Sequence, residues 1–325
     1  MAIFGRSTYS PTGRLNYLGE FVDNRVVLQR GAHTLKTGSD FLYNDDTITF
    51  PQSLRGSYNF SSLATFFTGT YNSQGYSQNF GTPVIHQSNP NMGFYFQDEW
   101  KVRPALTLNV GIRYDLQWLQ AINTDTNNLT PRIGIAWSPF PNRGTVVRAS
   151  YGLFYDRIPL RPLANALLSA NNTIDPAQAR FLSFSFSPTD AGAPVFPAVA
   201  SASPGISRPN FTTMDPSIQS PYAQQASLEV EQQISSIGSL SFSYQHVRGI
   251  DLIAAINTNI NPDGSRPDPT RGNIKPYSST FDSYYDGLEV SYLRRPASLG
   301  VDAAVVHVFQ SHRQSRRILF QFADQ

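Results

Sequence analysis

The sequence predicts an all-β fold, an antiparallel transmembrane β-barrel segment of about ten long strands, with short turns on one rim and long loops on the other. Three observations lead to this prediction. Apolar and polar residues alternate with a period of two over stretches longer than most globular strands. Short connections alternate with long ones along the chain. With Gly and Pro set aside, no apolar run exceeds about five residues, whereas a membrane helix needs about 20, so a helical membrane protein is excluded.

Composition excludes further classes of protein. Of the 325 residues, 15% are charged and 13% aromatic, with 25 Lys and Arg against 23 Asp and Glu. Soluble domains usually carry about a quarter charged residues. A nucleic-acid-binding protein usually has a concentrated basic surface, and the near-balanced charge of this chain gives no sign of one. No nucleic-acid partner is therefore expected. The absence of Cys excludes disulfide scaffolds, thiol catalysis and Cys-ligated metals.

The clearest strand runs from Ala105 to Leu119. Its even positions, from Leu106 to Trp118, are apolar or aromatic, and its odd positions from Thr107 to Gln117 are polar or small. Globular strands average about 5–6 residues, whereas a tilted strand that crosses a bilayer needs about 9–11. Alternation over about 14 residues therefore favours a membrane strand.

Similar alternation recurs in seven further stretches, where Asp98 is a polar exception on an apolar face. They lie near residues 22–29, 35–43, 94–102, 132–138, 147–156, 227–231 and 239–245. A helical period is indicated only near Leu160 to Leu168. A soluble antiparallel sheet with one wet face, closed as a sandwich or small barrel, is the alternative fold.

The connections are of two kinds. Short turns are predicted at Gly31–Ala32, Arg103–Pro104, Pro139–Gly144, Ser235–Gly238 and Arg295–Ser298. Long connections are predicted at Thr47–Pro90, Asn123–Thr130, Ile158–Ser220 and Asn257–Phe281. Short turns on one rim and long loops on the other are typical of outer-membrane barrels.

Each face of the strands has an expected environment, the polar face toward a hydrated lumen and the apolar face toward lipid. The predicted lumen-facing residues are Arg113, Asp115, Arg148, Gln233 and Gln245. The predicted lipid-facing residues are Leu106, Leu108, Val110 and Ile112. Substitutions at Asn109 or Gln117 are expected to be nearly silent.

The long segments Pro51–Pro90, Pro159–Pro221 and Ile260–Thr280 are expected to form an extracellular mouth. Their aromatic side chains are candidate ligand-binding residues, although packing inside the loops is the more common role of such aromatics. These residues are Tyr71, Tyr76, Phe80, Phe184, Phe186 and Phe211.

No catalytic, cofactor or metal site is predicted, so the chain is not expected to be an enzyme. The five His residues are scattered and match no zinc signature. Adjacent acidic residues such as Asp98 and Glu99 point to opposite faces of a strand and cannot share a site. Glu229 and Glu231 do share a face, where lumen-facing charge is the plainer interpretation.

Two consecutive strands carry a family resemblance. Phe94–Val102 reads FYFQDEWKV and Leu106–Asp115 reads LTLNVGIRYD. This hairpin resembles the barrel of TonB-dependent outer-membrane receptors. The segments Gly31–Lys36 and Tyr284–Val290 are similar to the Oar-like subgroup of that family. The resemblance covers most of residues 15–295.

The resemblance implies a barrel that captures and imports a large ligand, with the cell outer membrane as its location. The implied partners are outer-membrane lipid, a plug domain, the remaining barrel strands, a TonB-type energy transducer and an imported ligand of unknown identity. A structural or adhesive surface protein without transport is the alternative.

The domain expectation is a partial outer-membrane barrel over residues 1–325, without a plug domain. Residues 1–14 are expected to be an irregular lead-in that carries no signal peptide. Residues 300–325 are expected to be an atypical tail, out of frame after Arg295, because the alternation decays there. About ten strands would be about half of the 22 in a plugged transporter barrel.

Overall fold

The computed structural model describes residues 13–51, 53–82, 84–140, 143–169, 181–200, 208–235, 238–294 and 303–316. The backbone forms fourteen strands and two helices. The strands are β1 (Gly13–Arg30), β2 (His33–Thr49), β3 (Ser57–Tyr58), β4 (Tyr76–Gly81), β5 (Val84–Arg103), β6 (Leu106–Gln117), β7 (Leu129–Trp137), β8 (Thr145–Tyr155), β9 (Phe181–Phe186), β10 (Phe211–Met214), β11 (Tyr222–Ser235), β12 (Gly238–Ala255), β13 (Ile274–Arg294) and β14 (Ala303–Arg316). The helices are α1 (Leu63–Phe67) and α2 (Leu160–Leu168).

Ten long strands form one antiparallel sheet in the order β1-β2-β5-β6-β7-β8-β11-β12-β13-β14. The short strand β10 adds in parallel to the outer edge of β13, beside Ile274–Tyr277, while β14 pairs with Phe281–Arg294 of the same strand. The sheet is open, since the described parts of β1 and β14 do not pair with each other. The predicted antiparallel barrel segment of about ten long strands is confirmed.

The strand ends fall into two groups, which we call the turn side and the loop side. On the turn side, Gly31 takes a positive φ of 59° in the turn between β1 and β2, as a tight turn requires. On the loop side, the connections carry the remaining small elements. Among the described residues, no helix is long and apolar enough to cross a membrane.

The strands extend further toward the loop side than predicted. β2 reaches Thr49 and β5 begins at Val84, although Thr47–Pro90 was predicted as a connection. Both faces of these strand ends carry polar residues, so the alternation stops while backbone pairing continues. Asp45, for example, pairs with Ser88 on one face, and Asp46 pairs with Gln87 on the other.

Part of the expected tail is also a strand. β14 pairs with β13 in unbroken register from Phe281 with Arg316 to Arg294 with Ala303. Backbone pairing does not require alternation, so the mixed pattern after Leu299 did not exclude a strand. The predicted turn Arg295–Ser298 and most of the lead-in 1–14 lie outside the described residues.

Two clusters of buried apolar side chains lie on the loop side. In the first, Leu163 and Leu167 of α2 pack with Ile85 of β5 and Met214 of β10. The second belongs to what we call the loop module, residues 53–81 and 181–200, whose strands β3, β4 and β9 form a small separate sheet. The helical period predicted near Leu160 to Leu168 is therefore explained by one face of α2 packing on the sheet.

Candidate functional site

The two faces of the large sheet differ in what covers them. We call the face that carries Asp40, Arg113 and Gln117 the covered face, because α2 packs against its loop-side end. The opposite face, which we call the exposed face, carries Leu106, Leu108, Val110 and Ile112. On the exposed face Val110 pairs with Ile133, and these side chains are 51% and 53% exposed.

An ion cluster lies on the covered face across three strands. Arg113 on β6 donates to Asp115 Oδ1 at 2.6 Å and, across β5, to Asp40 Oδ1 of β2 at 2.7 Å. Gly93 of β5 lies between them, in register with both Asp40 and Asp115. A Cβ at Gly93 would lie 2.1 Å from Arg113 Nη2, so glycine is what lets the guanidinium cross this strand. The two-sided carboxylate contact holds Arg113 in one place.

A second ion cluster lies on the same face beyond β7, on β8 and β11. Arg148 of β8 donates to Glu229 Oε1 at 2.9 Å and to Glu231 Oε2 at 3.0 Å, both on β11. The side chains of all three are about 35–45% exposed. The shared face predicted for Glu229 and Glu231 thus holds a cation between two carboxylates.

The five residues predicted to face a lumen share the covered face but do not form one site. Arg113 and Asp115 belong to the first ion cluster and Arg148 to the second. Gln233 lies beside Gly144 on the turn side, and Gln245 pairs with Ser227 further along the sheet. The alternation predicted which face they occupy, and strand order decided which of them meet.

A band of amides on the covered face anchors the chain that leads into α2. Gln117 accepts a hydrogen bond from Ile158 N at 2.8 Å and donates to Ile158 O at 3.1 Å, while its amide also reaches Asn89 Oδ1 at 3.0 Å. Gln117 is buried, as are Asn89 and Asn91 beside it. These contacts argue against the expectation that a change at Gln117 is nearly silent, because its side chain satisfies the buried N–H and C=O groups of Ile158.

Beside this band lies a cleft of about 190 Å³, which we call the polar cleft. Its walls carry Arg113, Arg132 and Arg157 together with carboxylates of Asp40, Asp115 and Asp156. Arg132 also lies over the Phe154 ring, with its Cζ 4.3 Å from the ring centre. Cations and carboxylates both line the cleft, which is chemistry for holding a polar ligand with groups of both signs.

The candidate ligand aromatics take the packing role in this structure. Tyr71, Tyr76, Phe184 and Phe186 are buried in the core of the loop module, where Phe80 also packs. Phe211 is buried too, in β10, where Arg271 lies over its ring. The four buried rings of the loop module pack on one another and on neighbouring rings in tilted, edge-to-face and stacked pairs, so in this structure they are not available to a ligand. Their position in long loops left ligand contact and packing both open, and the small sheet β3-β4-β9 gives the rings of the loop module a core of their own.

The exposed face also carries polar side chains, and two of its carboxylates have clear partners. Asp98, the exception in its strand, has Oδ2 2.7 Å from Nδ1 of His33, whose ring stacks on Trp100. Farther along the sheet, Asp286 accepts from Tyr244 at 2.6 Å and lies 2.7 Å from His246 Nδ1. Within the described part of the chain, no group of three or more acidic or His side chains could hold a metal ion.

Sequence reasoning missed Asp40, Gly93 and Arg132 as parts of the polar cleft and its ion cluster. Asp40 was assigned to a polar face, but nothing in its own strand indicates that it lies two strands from Arg113. The signal that was present is the lone Gly93 within an aromatic-rich strand, since such a glycine often marks a close approach by another group.

Comparisons with known proteins agree with this architecture. The model of the outer membrane beta barrel domain family matches residues 1–121 and 118–310. The TonB-dependent transporter Oar of Myxococcus xanthus is 33% identical over 95 residues, which are 28% of this chain and 9% of that protein. The resemblance to TonB-dependent receptors is confirmed by this match and by similar solved structures.

Two solved structures illustrate the shared fold. The outer membrane transporter YddB from Escherichia coli has a TM-score of 0.58 at 14% identity, covering 93% of this chain and 34% of that one. The ferric enterobactin receptor PfeA from Pseudomonas aeruginosa, in a mutant form, has a TM-score of 0.54 at 14% identity, covering 92% and 35%. The chain therefore spans about a third of the length of these solved barrels.

These relatives are transporters and receptors, which agrees with the expectation that the chain is not an enzyme. The family model matches residues 1–310, nearly the whole chain, and this range includes strands β1 to β13. By that match, and with this sheet, the chain belongs to the outer membrane beta barrel domain family.

Proposed function

We propose that this chain forms part of the wall of an outer-membrane transporter that captures a ligand at the loop side and passes it inward with TonB-type energy coupling. In this proposal the covered face lines the lumen and the exposed face contacts lipid. A plug domain and further barrel strands complete the pore. The named activity of Oar, a TonB-dependent transporter, supports the proposal.

The single observation that carries the proposal is the separation of the two faces. Val110, Ile112 and Ile133 leave large apolar surfaces uncovered on one face, and the Arg113 cluster lies on the other. In water such an apolar face would be covered by another layer of structure. In a bilayer it is solvated by lipid, while the ionic face needs the hydrated lumen.

The polar cleft is the proposed ligand-contact site in the lumen. Arg132 and Arg157 offer donors to anionic or carbonyl groups, and Asp156 offers an acceptor, at the loop-side end of β7 and β8. Arg113 is already held by Asp40 and Asp115, so its role is to shape the cleft. The names of two neighbours, a siderophore receptor and a ferric enterobactin receptor, fit a polar ligand of this kind.

The membrane orientation can be measured directly, since the chain contains no Cys. Phe67 lies on the loop side and is 81% exposed, and Ala32 lies in the first short turn. Each is replaced by Cys in a separate variant. A membrane-impermeant maleimide should label Phe67→Cys on intact cells and label Ala32→Cys only after the outer membrane is disrupted. Equal labelling of both on intact cells would contradict the proposed orientation.

Dependence on the TonB-type transducer distinguishes transport from the second candidate function, which is surface adhesion. That candidate is favoured by the loop module, which has its own core and exposes Phe67 and Val195, 81% and 80% respectively. If the chain serves a transporter, labelling of Arg157→Cys in the polar cleft should differ between strains with and without the TonB-type transducer. An adhesive surface protein should give the same labelling rate in both strains.

A further inference from the structure

A second cleft lies between α2 and the covered face, away from the Arg113 cluster. Its volume is about 360 Å³, inside the range of about 300–1,000 Å³ that small-molecule sites occupy. We call it the α2 cleft. Its floor includes Ile48 of β2 and Ile85 of β5, which pair across the two strands. Its roof includes Leu160, Ala164 and Leu168, which are spaced four residues apart and so share one side of the helix.

The α2 cleft also has a polar end with an unsatisfied acceptor. Gln87 lines the cleft and is only 1% exposed, and its Oε1 has no hydrogen-bond donor among the described residues. A buried acceptor without a donor is unfavourable, so a donor brought by a ligand would be stabilised there. The terminal amide of Gln rotates in a broad torsional well, which allows this oxygen to turn toward the cleft.

The charges around the α2 cleft favour a neutral ligand. Asp46, paired with Gln87 across the strands, is fully buried and would repel an anion at the polar end. Arg161 lies at the exposed rim and would disfavour a cation on its way in. The apolar floor and roof favour an aromatic or alicyclic body, whose burial supplies most of the binding energy.

From these observations we propose that the α2 cleft is a binding site for a small neutral amphipathic molecule, one with an apolar ring body and a hydroxyl or amide N–H donor. The donor bonds Gln87 Oε1, and the ring body packs between Ile85 and Ala164. The site is separate from the polar cleft and does not depend on transport.

The proposal is tested by protection of an introduced thiol in outer membranes of cells that produce the complete barrel to which this chain belongs. Ala164→Cys lines the cleft, Leu163→Cys lies in the core on the same helix at 0% exposure, and Phe67→Cys lies outside. The probes are 2-naphthol and 2-methoxynaphthalene, which share a ring body but only the first of which donates a hydrogen bond. The labelling reagent is N-phenylmaleimide.

We expect 2-naphthol to slow the labelling of Ala164→Cys saturably and to leave Phe67→Cys unchanged. It should act at about fivefold lower concentration than 2-methoxynaphthalene, the effect of one hydrogen bond to a neutral acceptor. No protection, or equal protection at Phe67→Cys, would overturn the proposal. Rapid labelling of Leu163→Cys would also overturn it, because α2 would then not be seated on the sheet and no cleft would exist.

The contribution of the acceptor is tested in the Ala164→Cys background. Gln87→Leu removes the amide at similar size and should abolish the preference for 2-naphthol. Gln245→Leu, the same change at an exposed position on β12, should retain that preference. A preference that survives Gln87→Leu would overturn the assignment of Gln87. If Gln87→Leu fails to fold, the preference for 2-naphthol over 2-methoxynaphthalene, measured with Gln87 intact, still shows whether the site needs a donor.

Discussion

At the residue scale, the absence of a side chain at Gly93 allows the ion cluster of the covered face to form. Gly93 does not have a positive φ, so glycine is needed there because a larger residue would not fit and not because of the backbone conformation. The Arg113 guanidinium crosses over it to reach Asp40, and an added Cβ would lie 2.8 Å from Arg113 Cζ and from Asp40 Oδ1. One cation thereby links β6 to β2 across β5.

Gly93→Ala is therefore expected to expel Arg113 from its contact with Asp40. Because these side chains are about a quarter to a third exposed, we expect a loss of about 1–2 kcal/mol in the free energy of unfolding. Urea unfolding in lipid vesicles measures it. Gly111→Ala is the matched control, since a Cβ there meets its nearest atom at an ordinary 3.5 Å. Equal effects at Gly93 and Gly111 would contradict this account of the ion cluster.

Gln117 is the residue that attaches the α2 segment to the sheet. Gln117→Leu leaves the buried N–H and C=O of Ile158 without partners, which should cost about 1–3 kcal/mol. We expect faster hydrogen exchange at Ile158 and through α2, measured by mass spectrometry. Gln245→Leu provides the control for the loss of an exposed amide. Unchanged exchange in α2 would show that other contacts hold the segment in place.

At the scale of the strand, side-chain direction decides tolerance. On β6, Val110 points to the exposed face and its neighbour Asn109 to the covered face. If the exposed face contacts lipid, Val110→Arg should cost about 2–4 kcal/mol near the bilayer midplane, and Asn109→Arg much less. The measurement is the unfolding free energy of the complete barrel in vesicles. Similar costs at both positions would mean that the faces are assigned wrongly.

The loop module gives the second prediction at this scale. Burial raises the pKa of the Tyr58, Tyr71 and Tyr76 phenols above the ordinary value of about 10. Two of them donate to backbone carbonyls, Tyr58 to Ala198 O at 2.5 Å and Tyr71 to Pro194 O at 3.1 Å, and an ionised phenol cannot do so.

Because their pKa values are higher in the folded state than in the unfolded state, these tyrosines contribute stability that is complete below about pH 10 and is lost as the pH rises above it. We expect the loop module to open in this range. The measurements are tyrosinate absorbance and proteolysis between residues 53 and 81. A single titration of all 16 tyrosines near the unfolded value would argue against a buried aromatic core.

At the scale of the whole molecule, the sheet has two long free edges. Among the described strands, β1 pairs only with β2, and β14 pairs only with β13. In lipid every unpaired backbone group costs several kcal/mol, so a spanning sheet needs closure by further strands. In water the same edges and the exposed apolar face favour association.

We therefore expect this chain, produced by itself without detergent, to form heterogeneous assemblies rather than monomers. Size-exclusion chromatography with light scattering measures this, and detergent or lipid should be needed to disperse it. Addition of strands from the rest of a barrel should relieve the association. A monodisperse, detergent-free monomer with cooperative unfolding would contradict the membrane assignment.

The sequence by itself determined most strands of the central sheet and the face that their alternating side chains take. On β6 the period of two placed Val110 and Arg113 on opposite faces, because backbone pleating fixes side-chain direction locally. The sequence also indicated the helix at Leu160–Leu168, since a helix with one buried side carries apolar residues at a helical period.

Only the tertiary structure decided which side chains meet. Asp40 and Arg113 are 73 positions apart, and strand order and register bring them together over Gly93. The loop aromatics became a core because β4 and β9 pair across about 100 residues of chain. Gln117 changed from an incidental polar residue into an anchor because the long connection folds back onto it. Local patterns record the side on which a residue lies, but contacts between distant segments depend on strand pairing, which no single segment encodes.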